Sequence, residues 1–247
     1  MRNSVLNLIS FNTFGADDNV LYIEQLCLSN DVVFLSETWL KSEQKYILSG
    51  ISEDHNVFFR SDMTISPRFG RPYGGRAWYI RKTIEVIHCD FTNEHLSVIV
   101  FKKDNIYFTV MGVYLPYDNR QYYSLNEYTS LLCLIQEISQ YSVDKGHIVL
   151  IAGDFNADVN RGNRFDNLLQ KFVSENKYLL LDQQNRSSDD FTYSKGNYKA
   201  FIDHCILSNE DKILNWQCCV LYDDTNTSDH NAVRASITFE GTDSPQL

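Results

Sequence analysis

A carboxylate and a carboxamide stand two residues apart, Asp154 and Asn156, directly after an apolar, β-branched run that stops at Gly153. The run reads as a buried strand, and alternation along an extended chain delivers both polar groups to one face. Aspartate supplies charge for a metal ion or an attacking water, and asparagine a neutral donor for a phosphate oxygen. The pairing suggests phosphoryl chemistry. An Asp-x-Asn after a strand serves equally well as a turn or a helix cap, so its meaning depends on what else arrives beside it.

Polar side chains recur wherever apolar runs end. The first run ends in Asn12, the second in Glu37-Thr38-Trp39, and a later one in Tyr114-Leu115-Pro116. Phe201-Ile202 leads into Asp203-His204, and an acidic stretch leads into Ser228-Asp229-His230. Glu37 with Asp229 or Asp154 would form a hard oxygen site for Mg²⁺ or Mn²⁺, with Asn12 as neutral ligand or orienter. His230 would donate a hydrogen bond or proton to a phosphate oxygen if a carboxylate such as Asp203 fixes its tautomer. Asp154 would orient and deprotonate water. Taken singly, each is an ordinary surface acid, turn former or histidine; the signal is joint placement.

The elements that must position these groups are strands interleaved with a few helices. Strands are expected over residues 5–10, 32–36, 57–61, 76–80, 84–89, 96–101, 106–114, 147–153, 178–181, 201–207, 217–221 and 232–239. Helices are expected over 18–28, 121–140 and 163–176, the second with apolar residues at a period near 3.6. Many strands with helices at intervals imply two packed sheets with helices outside, whose strand ends converge on one pocket. No internal repeat or Pro/Gly/Ser linker divides the 247 residues, so one domain over 1–240 with a loose tail at 241–247 is expected.

The net charge of −10 argues against indiscriminate nucleic-acid binding. Its distribution is uneven. Arg60, Arg68, Arg71, Arg76, Arg81 and Lys82 are opposed only by Asp62 within residues 60–82, a window of +5 in a chain that is otherwise −15. Such a rim can grip phosphates while an acidic centre holds a cation. The apolar runs are too short to span a bilayer and no signal-peptide core opens the chain, which predicts an intracellular protein with no membrane partner. Six cysteines without a Cys-x-x-Cys pair, most within apolar segments, predict buried reduced thiols.

The ordered set resembles the endonuclease/exonuclease/phosphatase superfamily, which includes deoxyribonuclease I and apurinic endonucleases. The matching pieces are Ser10-Phe11-Asn12, Leu35-Ser36-Glu37-Thr38-Trp39-Leu40, Gly74-Gly75, Val113-Tyr114-Leu115-Pro116, Gly153-Asp154-Phe155-Asn156-Ala157, Phe191-Thr192-Tyr193, Ile202-Asp203-His204 and Ser228-Asp229-His230. Within it the chain is most similar to the endonuclease domain of non-LTR retrotransposons, through residues 36–40, the Gly-Gly strand and residues 153–157.

This resemblance implies an α/β fold, a four-layer α/β/β/α sandwich of two mixed β-sheets flanked by helices. It implies Mg²⁺-dependent nicking of double-stranded DNA in the nucleus, leaving a 3′ hydroxyl that primes reverse transcription by a reverse transcriptase domain absent from these residues. It assigns Glu37, assisted by Asn12 and Asp229, to the metal. Asp154 would activate water, Asn156 and Tyr114 contact the scissile phosphate, His230 stabilise developing charge, and Asp203 pair with His230. Thr192 would touch phosphate nearby. Groove contacts are expected from residues 193–199 and from the basic, aromatic stretch around residues 60–73, through Arg60, Arg68, Arg71 and Arg76.

Three departures stand out. Phe201 replaces a frequent arginine, Asn231-Ala232-Val233 lacks the proline of repair-type members, and Arg76 replaces an aliphatic residue. Apurinic-site repair, a phosphoinositide or phospholipid phosphodiesterase, and a catalytically silent binding module are the alternatives. Phosphoinositide-type members usually carry Asp-Arg where Asp203-His204 stands, and every expected catalytic position here holds a competent residue.

Overall fold

The apolar runs become strands buried on both faces: every residue of 32–36 and of 148–154 is buried, which requires a layer above and below each strand. The computed structural model describes residues 2–61, 64–65, 72–184 and 186–241. In chain order its strands are β1 (Arg2–Asn12), β2 (Val32–Ser36), β3 (His55–Arg60), β4 (Thr64–Ile65), β5 (Pro72–Tyr73), β6 (Arg76–Arg81), β7 (Glu85–Asp90), β8 (Leu96–Lys103), β9 (Ile106–Tyr114), β10 (Ile148–Asp154), β11 (Leu179–Leu180), β12 (Tyr193–Lys195), β13 (Tyr198–Ala200), β14 (Asp203–Leu207), β15 (Ile213–Leu221) and β16 (Ala232–Gly241). The helices are α1 (Val20–Ser29), α2 (Lys45–Ser49), α3 (Tyr122–Asp144) and α4 (Arg164–Glu175).

Two six-stranded sheets result, in the orders β15-β16-β1-β2-β6-β3 and β11-β14-β10-β9-β8-β7. Each is antiparallel except for one central parallel pair, β1 with β2 and β9 with β10. Three apolar clusters bind four layers. Leu6, Leu8, Phe34 and Trp78 of the first sheet meet Phe101, Phe108, Val110 and Leu150 of the second. On the outer face of the first sheet, Tyr22, Ile23 and Leu26 of α1 cover Ile9, Val33 and Tyr79. On the outer face of the second, Tyr128, Leu132 and Ile135 of α3 and Phe165, Leu169 and Phe172 of α4 cover Met111, Val149 and Ile151. This is the expected α/β/β/α sandwich of mixed sheets.

The helix limits follow local chemistry. Helix α4 starts at a reciprocal cap in which the Asn163 backbone N–H donates to Asp166 Oδ2 at 2.7 Å. Helix α3 runs to Asp144, beyond the expected residue 140, because Ser142 and Val143 still pack inward. The expected strand at 178–181 shortens to β11 followed by a 3₁₀ turn, Leu181–Gln183. The β12–β13 hairpin and α2 have no counterpart among the expected elements; neither carries a run of apolar residues long enough to show a period. Among the described residues no helix is long and apolar enough to cross a membrane. The expected tail beyond Gly241 lies outside the described residues.

All six cysteines are free, but only Cys27, Cys205 and Cys218 are buried. Cys89 is half-buried, and Cys133 and Cys219 are exposed because their positions fall on the outward sides of α3 and β15.

Candidate active site

The two parallel pairs bring the site together. Side by side on β1 and β2, Asn12 is in register with Ser36, and Glu37 follows. On the other sheet Asp154 is in register with Tyr114 on one side and Asp203 on the other. The loop entering β16 adds Asp229 and His230. These ends open into one cleft of about 740 Å³, lined by Glu37, Tyr114, Asp154, Asn156, Asp229 and His230 among others. Asn12 lies at its base, 1% exposed.

Gly153 explains how β10 can end here. Its φ of +151° and a Cβ position only 2.0 Å from Val113 O exclude any side chain. The next turn sets Asn156 at φ +50°, where its backbone N–H donates to Asp154 Oδ1 at 2.8 Å and its carboxamide Nδ2 to Leu115 O at 2.8 Å. One carboxamide N–H is left for a ligand. Ser228 accounts for the first letter of the Ser-Asp-His triplet: its Oγ donates to Asn12 O at 2.8 Å and accepts the His230 backbone N–H at 3.0 Å.

On the first sheet, Glu37 has φ +50° and Trp39 +54°, and the Gly74 and Gly75 carbonyls hold the backbone beyond Glu37 by accepting from the N–H groups of Trp39 and Thr38. Glu37 Oε2 accepts from Trp39 Nε1 at 3.1 Å, while Oε1 accepts from Asn12 Nδ2 at 3.0 Å. Asn12 Nδ2 also donates to Asp154 Oδ2 at 3.1 Å, and its oxygen accepts from the Phe14 N–H. Asn12 is thereby an orienter of two carboxylates; its oxygen does not face them.

On the second sheet, His230 Nδ1 donates to Asp203 Oδ2 at 2.8 Å, and Nε2 lies 3.8 Å from Asp154 Oδ2 and 3.9 Å from Asp229 Oδ1. Burial opposes the imidazolium, yet Asp203, Asp154 and Asp229 together push the His230 pKa up to about 10. Burial and then Asp203 push Asp154 up to about 7, against the pull of His230. Burial also raises Asp229, with His230 pulling it down and Glu37 pushing it up. The Tyr114 hydroxyl is kept protonated by burial, Glu37 and Asp154.

Three carboxylates facing one imidazolium leave the site short of positive charge. Asp229 Oδ1 is buried without a hydrogen-bond donor. An all-oxygen donor set of Glu37, Asp154 and Asp229 fits a small hard divalent cation. The ligand atoms of Asp154, Asp203 and His230 come within 4.8 Å of one another, but His230 Nδ1 is committed to Asp203.

Several expected contacts fall elsewhere. Thr192 does not reach the cleft: fully buried, its Oγ1 accepts the N–H groups of Ile202 and Asp203 at 2.9 Å, so it fixes the backbone that carries Asp203. Arg76 is 1% exposed, its guanidinium donating to Asn93 O and lying 5.6 Å from the Phe91 ring. Its strand is covered on both faces, so it offers no groove contact. Arg60 is exposed and donates to Phe91 O at 2.6 Å, outside the cleft lining. Arg68 and Arg71 lie outside the described residues. The cations that do line the cleft are Arg120, Arg161, Arg164 and Lys195, beside Tyr117, Tyr193 and Tyr198. Arg161 stands just before α4 and Arg164 at its start, Lys195 in β12 within the segment 193–199 expected to contact a groove, and Arg120 just before α3, all outside the basic window of residues 60–82.

The Endonuclease/Exonuclease/phosphatase family profile matches residues 9–230. No curated protein sequence gives a significant match. Among solved structures, the chain is similar to the AP endonuclease LMAP from Leishmania major, at 12% identity and a TM-score of 0.76 over 96% of this chain and 88% of that one. It is similar to the endonuclease domain of TRAS1, a telomere-specific non-LTR retrotransposon, at 16% identity and a TM-score of 0.66 over 95% and 98%. It is also similar to D. rerio TDP2 complexed with single strand DNA product, at 19% identity and a TM-score of 0.67 over 96% and 99%.

Proposed function

This chain belongs to the Endonuclease/Exonuclease/phosphatase family, and from that premise we propose that it is a Mg²⁺-dependent endonuclease that nicks DNA. The observation that carries the reading is the bonded set Glu37–Asn12–Asp154 beside His230–Asp203, on the floor of a cleft walled by arginine, lysine and tyrosine.

Glu37, Asp154 and Asp229 would hold the metal, with Asn12 fixing two of them. Bound there, a divalent cation neutralises charge on the phosphate and lowers the pKa of water. Asp154 orients the attacking water and takes its proton. The water oxygen joins phosphorus as the bond to the 3′ oxygen breaks, and the departing oxygen takes a proton from solvent, which leaves a 3′ hydroxyl and a 5′ phosphate. The free N–H of Asn156 and the Tyr114 hydroxyl donate to non-bridging oxygens. The His230 imidazolium, held by Asp203, meets the charge that develops on them.

The motif at residues 36–40 and the absence of proline after Ser228-Asp229-His230 favour a retrotransposon endonuclease, whose nick in nuclear double-stranded DNA would prime a reverse transcriptase. The decisive experiment incubates supercoiled plasmid with the protein and Mg²⁺, beside Asp154→Ala and His230→Ala. Nicked circles from the parent, blocked by EDTA, lost in both variants and extendable by a polymerase from the nick, are expected. Intact plasmid with phosphate released from an inositol phosphate would sink the reading.

A further inference from the structure

A second group of metal-ligating side chains stands outside the cleft lining: Glu94 and His95, just before β8, and Glu127 on α3. One donor atom from each lies within 4.8 Å of the other two. The turn that carries His95 is built by its neighbour, since Asn93 Oδ1 accepts the N–H groups of His95 and Leu96 at 2.8 and 2.9 Å. Backbone ties the turn to the end of β9, where the His95 carbonyl accepts the Tyr114 N–H at 2.9 Å.

The imidazole is held by its other nitrogen. His95 Nδ1 lies 2.8 Å from Tyr114 O, and a carbonyl only accepts, so Nδ1 carries a proton. In the neutral ring the Nε2 lone pair then faces the two glutamates. A backbone carbonyl behind the second ring nitrogen is the arrangement that orients histidines on metal ions. Nε2 stands 3.4 Å from Glu127 Oε1 and 3.8 Å from Glu94 Oε1. A charge-assisted hydrogen bond would draw these atoms to about 2.7–2.9 Å. The separations are instead close to the edge of a ligand tetrahedron around a central ion, about 3.3–3.4 Å for bonds of roughly 2.0–2.1 Å. Among the described residues neither carboxylate pairs with a lysine or arginine, and both glutamates are exposed, so an ion reaches them from solvent.

Two carboxylates and an imidazole make a mixed oxygen and nitrogen donor set. The nitrogen favours Zn²⁺ over Mg²⁺ and Ca²⁺, which take oxygen ligands. We propose that Glu94, His95 and Glu127 form a Zn²⁺ site separate from the catalytic centre, with a fourth position left to water. Its ligands come from the turn before β8 and from α3, so the ion clamps that helix to the turn that backs Tyr114. The site stands apart from the nuclease reading, and neither needs the other.

The test titrates Zn²⁺ into the protein with Mg²⁺ in excess, so that the oxygen donors of the catalytic cleft are offered the harder ion. It compares the parent with His95→Gln, Glu127→Gln and His88→Gln, the last an exposed histidine of β7 outside the group. Calorimetry should give one Zn²⁺ per chain in the parent and in His88→Gln. Affinity should fall about a hundredfold or more in His95→Gln and about tenfold or more in Glu127→Gln. Nitrogen NMR of the histidine rings should show the His95 Nε2 signal, assigned by its loss in His95→Gln, moving on binding while the His230 signals stay in place. Zn²⁺ should also raise the unfolding temperature of the parent, and raise that of Glu127→Gln, altered at an exposed position, by less. Absence of Zn²⁺ binding, or equal affinity in the parent, His95→Gln and Glu127→Gln, overturns the site. So does a shift confined to His230, which puts the ion in the catalytic cleft. No readout requires DNA cleavage, so failure here and failure of the nuclease reading are told apart.

Discussion

His230 on the loop entering β16 donates from Nδ1 to Asp203 Oδ2 at the start of β14, a 2.8 Å bond that joins the two sheets at their catalytic edge. The carboxylate both orients the ring and keeps it charged. Asp203→Asn preserves the volume and removes the counter-ion, so single-turnover nicking should slow by about a hundredfold or more. Because the two residues act as a unit, adding His230→Gln should cost little beyond either change alone. An Asp203→Asn protein that cuts at the parental rate would refute the pairing as a functional one.

Trp39 enters the sequence pattern only as one letter of a motif, whereas in the fold its indole N–H holds Glu37 Oε2. Trp39→Phe keeps the ring and deletes that donor. Calorimetric titration with Mg²⁺ or Mn²⁺ should show affinity weakened about tenfold, the usual effect of losing a group that orients a ligand. Unchanged affinity would mean that Glu37 needs no such support.

Gly153→Ala should destabilise the fold by about 3 kcal/mol or more, since a Cβ would sit 2.0 Å from Val113 O at a φ of +151°. Urea unfolding measures it. Gly162→Ala, at φ +86° with nothing within 4 Å, meets only the backbone cost of about 1–2 kcal/mol and serves as the control. Comparable losses at the two sites would remove the close approach as the cause.

His204 lies behind the site, fully buried, with Nδ1 2.9 Å from Asp182 Oδ2 and Nε2 2.9 Å from Ala157 O. Both partners are acceptors, so both ring nitrogens carry protons. Burial opposes this charge, but Asp182 raises the His204 pKa above its usual 6.5. Burial likewise opposes the Asp182 carboxylate, and His204 lowers its pKa below 3.8. The histidine's contribution is therefore complete below pH 6.5 and fades as pH rises through the elevated folded value. The aspartate's is complete above pH 3.8 and fades as pH falls through the depressed one. His204→Phe strands a buried carboxylate and should cost about 3–5 kcal/mol between those limits, less outside them. Denaturant midpoints across pH, compared with the parent, test the window; a pH-independent difference contradicts it.

The site is legible in the sequence to the extent that strand ends carry it. Asn12, Glu37, Asp154, Asp203 and His230 each lie at the end of an apolar run or beside one, and the parallel pairs put those ends together. Charge is the poor guide. Arg76 counts toward a basic window but lies inside a covered strand, because net charge along a sequence says nothing about which face a strand turns outward. Thr192 keeps its motif position but serves the backbone beneath Asp203 instead of a phosphate. Tyr198 falls in the segment 193–199 expected to contact a groove, but its bond to Arg161 spans 37 residues, so nothing local announces that partner.

The order of strands has a consequence for the timing of activity. The first sheet is closed by β16, which inserts between β15 and β1, and the residues just before it are Asp229 and His230. A growing chain can complete the second sheet, with Tyr114, Asp154 and Asp203 in place, and still lack the histidine that answers them. The complete constellation is therefore withheld from every partial product of translation, because the imidazole that pairs with Asp203 is placed only when β16 docks between β15 and β1.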